Sequence, residues 1–209
     1  MKGNELVWRA LADAALTGRR DWSSVADLAH ASGTPVSTAS LALQRMHDIG
    51  ATERRRNGGV IAVNPEKILL VLAAWRNLKA DEIGRTTLGG ATMLIERANG
   101  HYALGGSNAA ITYVSGASGR NTIATHPTRL VYVKDEPLAH DLPAGDEVII
   151  LRMDKRAQLD WYDGYTSRAQ TYADLFALPG WQAEEFRRAL HRVLFPPESR
   201  GQNVEALRG

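Results

Sequence analysis

The side chains best suited to chemistry in this 209-residue chain are grouped within residues 23–63. Ser37, Thr38, Ser40, Gln44 and Arg45 share the polar side of a segment with helical periodicity, and Arg54, Arg55 and Arg56 follow it closely. Short hydroxyls let a helix approach a nucleic-acid groove, and an amide can pair with both polar groups of an adenine edge. A guanidinium does the same for guanine, or holds a phosphate. These residue types suit the reading of double-stranded DNA better than the making or breaking of bonds.

The elements that must position them are legible around them. Ser23 or Ser24 can cap a helix carrying Val25, Leu28 and Ala29 on one face, and Ser32-Gly33-Thr34 interrupts it. A second helix opens at Pro35, where a missing amide hydrogen costs nothing, with Thr34 as its expected cap. Ala39, Ala42, Leu43, Met46 and Ile49 recur at helical spacing and are expected to be buried, leaving Ser37, Thr38, Ser40, Leu41, Gln44 and Arg45 outward. Gly50 ends that helix. Residues 51–55 and 60–63 then read as strands around Asn57-Gly58, a strong hairpin signal. Alternation along a strand places Arg54 and Arg56 on one face and Arg55 on the other, unless the turn rotates Arg56 outward.

The whole stretch predicts a winged helix-turn-helix over residues 1–79. Its expected DNA-facing set is Thr34, Ser37, Thr38, Ser40, Gln44, Arg45, Arg54, Arg55, Arg56 and Asn57. Helical hairpins with glycine turns also occur in proteins that never touch DNA, and winged helices also serve as protein-binding modules. The outward Leu41 suits either a thymine methyl or a protein partner.

Composition is that of an ordinary globular chain, 44% hydrophobic and 23% charged. The net charge of +2 is unevenly spread: residues 1–79 hold 11 Lys+Arg against 7 Asp+Glu, and the remainder 14 against 16. The basic half is the half with the arginine-rich hairpin, as a DNA-binding part requires. With no cysteine, disulfides, thiolate zinc sites and a cysteine nucleophile are excluded. Neither a secretory signal nor a long apolar run is visible, so a cytoplasmic protein without membrane contact is the expectation.

Beyond the hairpin, Asn64-Pro65 starts a further helix with Ile68, Val71, Leu72 and Trp75 as its apolar stripe, Trp75 being read as core. Residues 79–90 read as a connector to a second domain over 89–195. There, residues 91–98 suggest a helix, 109–114 a helix or strand, and 129–133 and 147–151 strands. Helices return at 167–178, with Tyr172, Leu175 and Phe176 on one side, and beyond Pro179-Gly180. In the last helix Phe186, Ala189, Leu190 and Val193 form the expected buried stripe, while Arg187, Arg188 and Arg192 offer a second basic patch or a solvated face. Residues 196–209 are expected to form a flexible tail.

In the second domain, residues 102–110 (Tyr-Ala-Leu-Gly-Gly-Ser-Asn-Ala-Ala), Val131-Tyr132-Val133 with Lys134-Asp135, Asp163-Gly164, and residues 169–180 (Ala-Gln-Thr-Tyr-Ala-Asp-Leu-Phe-Ala-Leu-Pro-Gly) appear in order. With a winged helix before them, they resemble the AbiEi-type antitoxins, the transcriptional-repressor halves of abortive-infection toxin-antitoxin pairs. The resemblance covers residues 89–195 and implies an α+β protein: an N-terminal winged helix-turn-helix followed by a mixed α/β, nucleotidyltransferase-like domain without activity. It further implies an autorepressor acting on its own promoter, without a cofactor, and a cognate nucleotidyltransferase toxin as partner. Pairing as a homodimer on inverted repeats is also expected. The glycine-rich loop at residues 115–119 departs from the commonest form.

Two alternatives accompany this reading: an antitoxin acting by protein contact, and an active nucleotidyltransferase. Gly105-Gly106-Ser107 is the phosphate-cradling motif such an enzyme places at a helix N-terminus. The enzyme also needs two alternate carboxylates on the next strand to hold a divalent metal, and no Asp or Glu occurs between Glu96 and Asp135. Asp135-Glu136 are adjacent, so a strand would point them apart, and Asp154 and Asp160 are scattered. His30, His47, His101, His126, His140 and His191 lack metal-site spacing, and no Gly-x-Ser-x-Gly elbow is present. Gly119-Arg120-Asn121 with Arg129 is either an anion-binding loop or a polar turn.

Overall fold

A computed structural model describes residues 1–115, 129–161 and 163–196. The protein is of mixed α+β class, with two small sheets among its helices. Helix α1 (Gly3–Leu16) buries Val7, Trp8 and Leu11. A short strand β1 (Asp21–Trp22) leads to α2 (Val25–Ser32) and α3 (Val36–Asp48), followed by the hairpin β2 (Thr52–Arg54) and β3 (Val60–Ala62). The three strands form an antiparallel sheet in the order β1-β3-β2. Helix α4 (Pro65–Trp75) starts where expected, with Asn64 accepting a hydrogen bond from the Lys67 amide at 3.0 Å and Pro65 in the first turn.

Residues 79–90 are not a loose connector. Leu78–Ala80 form a 3-10 turn, and β4 (Glu82–Thr86) enters a second sheet as an edge strand. Its charges obscured the strand because an edge exposes much of its surface to water. After α5 (Leu88–Ala98) come β5 (Tyr102–Gly106), α6 (Ser107–Ser115), β6 (Arg129–Val133) and β7 (Val148–Arg152). The order is β4-β7-β6-β5, antiparallel except for the parallel central pair β6-β7. Leu130, Tyr132 and Leu151 pack on one face of this sheet, and Val131, Val133, Val148 and Ile150 on the other, where Ala91 and Leu94 of α5 cover them. The chain ends with α7 (Ala157–Asp160), α8 (Arg168–Ala177) and α9 (Trp181–Leu194).

Alpha8 joins the two halves. The main core runs without a break from Trp8, Leu43, Met46 and Leu72 to Tyr172, Leu175 and Leu190. His191 of α9 also lies 3.0 Å from Glu66 of α4. The expectation that residues 1–79 and 89–195 follow one another as units describes the order of elements; the apolar interior is shared.

Three apolar assignments differ. Trp75 is half-exposed, set edge-on against Trp8 with ring centres 5.9 Å apart, because it sits in the last turn of α4 where the core tapers. Val193 and Phe176 are likewise half-exposed, while Ala183 and Leu190 form the buried line of α9. Alpha9 packs on α6 and α8, and this line is the one it turns toward them.

Candidate nucleic-acid interface

The join between α2 and α3 is built by a few local contacts. Ser24 caps α2, its hydroxyl accepting from the Asp27 amide at 3.1 Å. Gly33 ends α2 in the left-handed region, φ 64°, which a residue with a Cβ rarely adopts. The turn brings the Thr34 and Ser32 hydroxyls within 2.8 Å of each other. Thr34 therefore does not cap α3; Pro35 occupies that position with no side-chain cap.

Along α3, Ala39, Ala42, Leu43 and Met46 are buried and Ile49 is half-buried. The opposite stripe carries Ser37, Leu41 and Gln44, all exposed, with Leu41 at 67%. Thr38 and Arg45 lie on one flank of this stripe instead of at its centre. Thr38 packs on the first turn of α1, where its Cγ2 would stand 2.7 Å from a Cβ built on Gly3. The Arg45 guanidinium sits 5.2 Å above the Trp75 ring, a cation–π contact with α4. Ser40 is half-buried on the other flank, and His47 on that side places Nδ1 3.2 Å from the Thr52 carbonyl of β2. Arg45 is exposed as expected, whereas Thr38 and Ser40 are half-buried because α3 packs on α1, α2 and β2.

Sequence reasoning missed one cation here. Lys67 Nζ donates to the Ile49 carbonyl at 2.8 Å, placing a positive charge at the C-terminal end of α3 where the helix dipole favours it. The signal was a lysine in the first turn of the following helix.

In the hairpin the three arginines divide as alternation predicts for Arg54 and Arg55. Arg55 lies on the face of Asp21, forms an ion pair with it, and is not a free contact group. Arg54, on the opposite face, and Arg56, in the turn, are exposed with no ion pair among the described residues. Asn57 shapes the turn, its Oδ1 accepting from the Gly59 amide at 3.1 Å. The Arg55 amide donates to the Gly59 carbonyl at 2.9 Å and closes the loop. Arg19 stacks over Trp22 of β1 at 3.8 Å and pairs with Asp27, a second cation on this sheet that sequence reading passed over.

The Gln170-Thr171-Tyr172-Ala173-Asp174 segment has a different character. Gln170, Thr171 and Asp174 are fully buried. Arg76, leaving the end of α4, donates to Asp174 at 2.7 Å and to the Tyr132 hydroxyl at 2.9 Å, and also pairs with Asp81. Tyr132 donates to Asp174 at 2.7 Å, and the Gln170 amide donates to Asp174 at 2.8 Å. Gln170 in turn accepts from Arg9 of α1 at 3.1 Å, and Arg9 grips Asp154 through two bonds of 2.6 and 2.8 Å. Although Asp154 is largely buried, the Arg9 charge and hydrogen bonds hold its carboxyl down at about 2. Burial and the neighbouring Asp174 charge push the Tyr132 hydroxyl well above its ordinary value. The motif is thus an internal clamp between α1, α4, β6 and α8. Its sequence signal was two arginines within otherwise apolar helix faces.

Of the three α9 arginines, read as a basic patch or a solvated face, Arg187 and Arg188 are paired and Arg192 is exposed without an ion pair among the described residues. Arg187 pairs with Glu184 at 2.7 Å and donates to the Tyr172 hydroxyl at 2.6 Å, and Arg188 reaches the same Glu184 at 2.8 Å. Spacings of three and four residues on a helix bring these charges together. The two arginines hold the Glu184 carboxyl down at about 2.

Gly105-Gly106-Ser107 spans the junction of β5 and α6, and Ser107 and Asn108 are buried. A Cβ at Gly105 would stand 3.1 Å from the Tyr132 ring and 3.2 Å from the Leu130 Cβ, so the glycine serves close packing against β6. Beyond β6, Glu136 pairs with Arg152. Among the described residues no three His, Asp or Glu side chains are grouped as metal ligands, and no helix is long and apolar enough to cross a membrane. The 116–119 part of the glycine-rich loop, Gly119-Arg120-Asn121 and the 197–209 part of the tail lie outside the described residues. No family model, curated protein or solved structure matches the chain.

Proposed function

We propose that the protein is a sequence-specific double-stranded DNA-binding transcriptional regulator, an autorepressor acting on its own promoter. One observation carries the reading: α3, whose Ser37-Leu41-Gln44 stripe is exposed, packs on β2 of a hairpin whose Arg54 and Arg56 are exposed and unpaired among the described residues. A helix in the major groove with a cationic hairpin against the backbone is the docking geometry of a winged helix-turn-helix. Gln44 supplies the base-reading amide, Ser37 permits close approach, and Arg54 and Arg56 hold phosphate or enter the minor groove. Arg45, exposed over Trp75, would contact the backbone at the margin of the groove.

The test is an electrophoretic shift of the DNA upstream of the protein's own gene, titrated at several salt concentrations. Retention that survives competitor DNA and weakens linearly in log salt is expected. Failure to retain any upstream fragment specifically at low salt would sink the proposal.

A second reading has its own observation. Val36 and Leu41, 53% and 67% exposed, are large apolar groups left in solvent on α3, one on its Ser40 flank and one on the outward stripe, and a protein contact would use them. An antitoxin acting by contact with a nucleotidyltransferase would bury them, and co-purification with an adjacently encoded nucleotidyltransferase, lost on Leu41→Glu, is its test.

A further inference from the structure

A cleft of about 900 Å³ opens between the α2–α3 turn and the segment joining β7 to α7. Leu6, Trp75, Met153 and Leu159 make its apolar lining. Trp75 and Leu159 are 50% and 57% exposed. Single exposed apolar residues are ordinary, but large ones gathered around a concavity of this size fit a small ligand.

The charges along the rim settle what kind. Its carboxylates are occupied: Asp81 pairs with Arg76 and the Met1 amino group, and Asp154 is held by Arg9 and by the Arg156 and Ala157 amides. Glu5 is buried. Two of the cations are also spent, Arg152 on Glu136 and Arg156 on Asp160. Lys2 and Lys155 are different. Both are exposed at the cleft, and neither has an ion pair among the described residues. An apolar lining beside two uncompensated ammonium groups complements one chemical type, an apolar body bearing a negative charge. The indole of Trp75 and the thioether of Met153 favour a flat ring as that body.

We propose that this cleft binds a small aromatic carboxylate, its ring against Trp75 and Leu159 and its carboxylate directed to Lys2 and Lys155. The site does not depend on DNA binding, and its test uses no DNA.

Calorimetric titration of the full chain with 2-naphthoate is expected to give saturable one-to-one binding. The neutral 2-naphthalenemethanol binds about tenfold more weakly or worse, since it cannot engage the lysines, and inorganic phosphate gives no saturation. Lys155→Glu and Leu159→Arg, both at exposed positions, each weaken naphthoate by about tenfold or more while the thermal midpoint stays at the wild-type value. Absence of saturable binding through the millimolar range, equal affinity for the alcohol, or unchanged affinity in both variants overturns the assignment. Saturation by phosphate alone overturns it as well, since that describes a plain anion site.

Discussion

Two regions of this molecule are rich in arginine and use it in opposite ways. In the hairpin, Arg54 and Arg56 are exposed and unpaired among the described residues, and their charges remain available. In the clamp, Arg9 and Arg76 are buried, and their donors meet Asp154, Gln170, Asp174, Asp81 and Tyr132. A guanidinium in water can be recruited by a phosphate with little loss, whereas a buried one is committed to its partners because removing them strands a charge. The contrast teaches that an arginine's role is set by its solvent, not by its neighbours in sequence.

The largest effect that would break this contrast is at the clamp. Asp174→Ala leaves Arg76 without its main counter-charge, and a loss of about 3 to 5 kcal/mol in urea unfolding is expected. A change within about 0.5 kcal/mol, the range of surface substitutions, would show that the network is not a structural clamp. Its pH dependence gives a second measure. The folded-state carboxyl of Asp154 titrates at about 2, below its ordinary 3.8, so its stabilisation is fully present above that ordinary value and is lost as pH falls through the folded one. Between pH of about 4 and 2 this removes roughly 2 kcal/mol, and Asp154→Asn is expected to flatten that part of the urea-midpoint profile.

At the exposed surface the expected effects are on the proposed DNA binding. Gln44→Ala is expected to cost about 1 to 3 kcal/mol of discrimination between operator and non-operator DNA, with unfolding unchanged. Equal losses on every sequence would make Gln44 a backbone contact instead. Arg54→Ala and Arg56→Ala are each expected to lower the slope of log affinity against log salt by about one unit. The smallest effect belongs to Arg55→Ala. Because Arg55 already pairs with Asp21, the salt slope should barely move, and a drop as large as for its neighbours would show that the pair opens on DNA.

The hairpin was readable because its determinants are local: Asn57-Gly58 fixes the turn, and alternation separates Arg54 from Arg55. The period of Ala39, Ala42, Leu43 and Met46 likewise marked the buried side of α3. What failed were readings that depended on partners distant in the chain. Thr38 meets Gly3 and is half-buried, and Arg45, though exposed as read, lies over Trp75; the Thr34 reading failed locally, its hydroxyl meeting Ser32 instead of capping α3. The edge strand β4 escaped notice because its pairing with β7 lies more than sixty residues away, a ladder that no local pattern announces.

By itself the sequence determined the periodic elements and their turns, since side-chain spacing, proline and glycine act on the backbone beside them. Only the tertiary structure decided which charged groups remain free, because pairing and burial join residues as far apart as Arg9 and Gln170. Desolvation is the reason: a charge taken out of water must find its partner wherever the fold brings one, and chain distance plays no part in that energy.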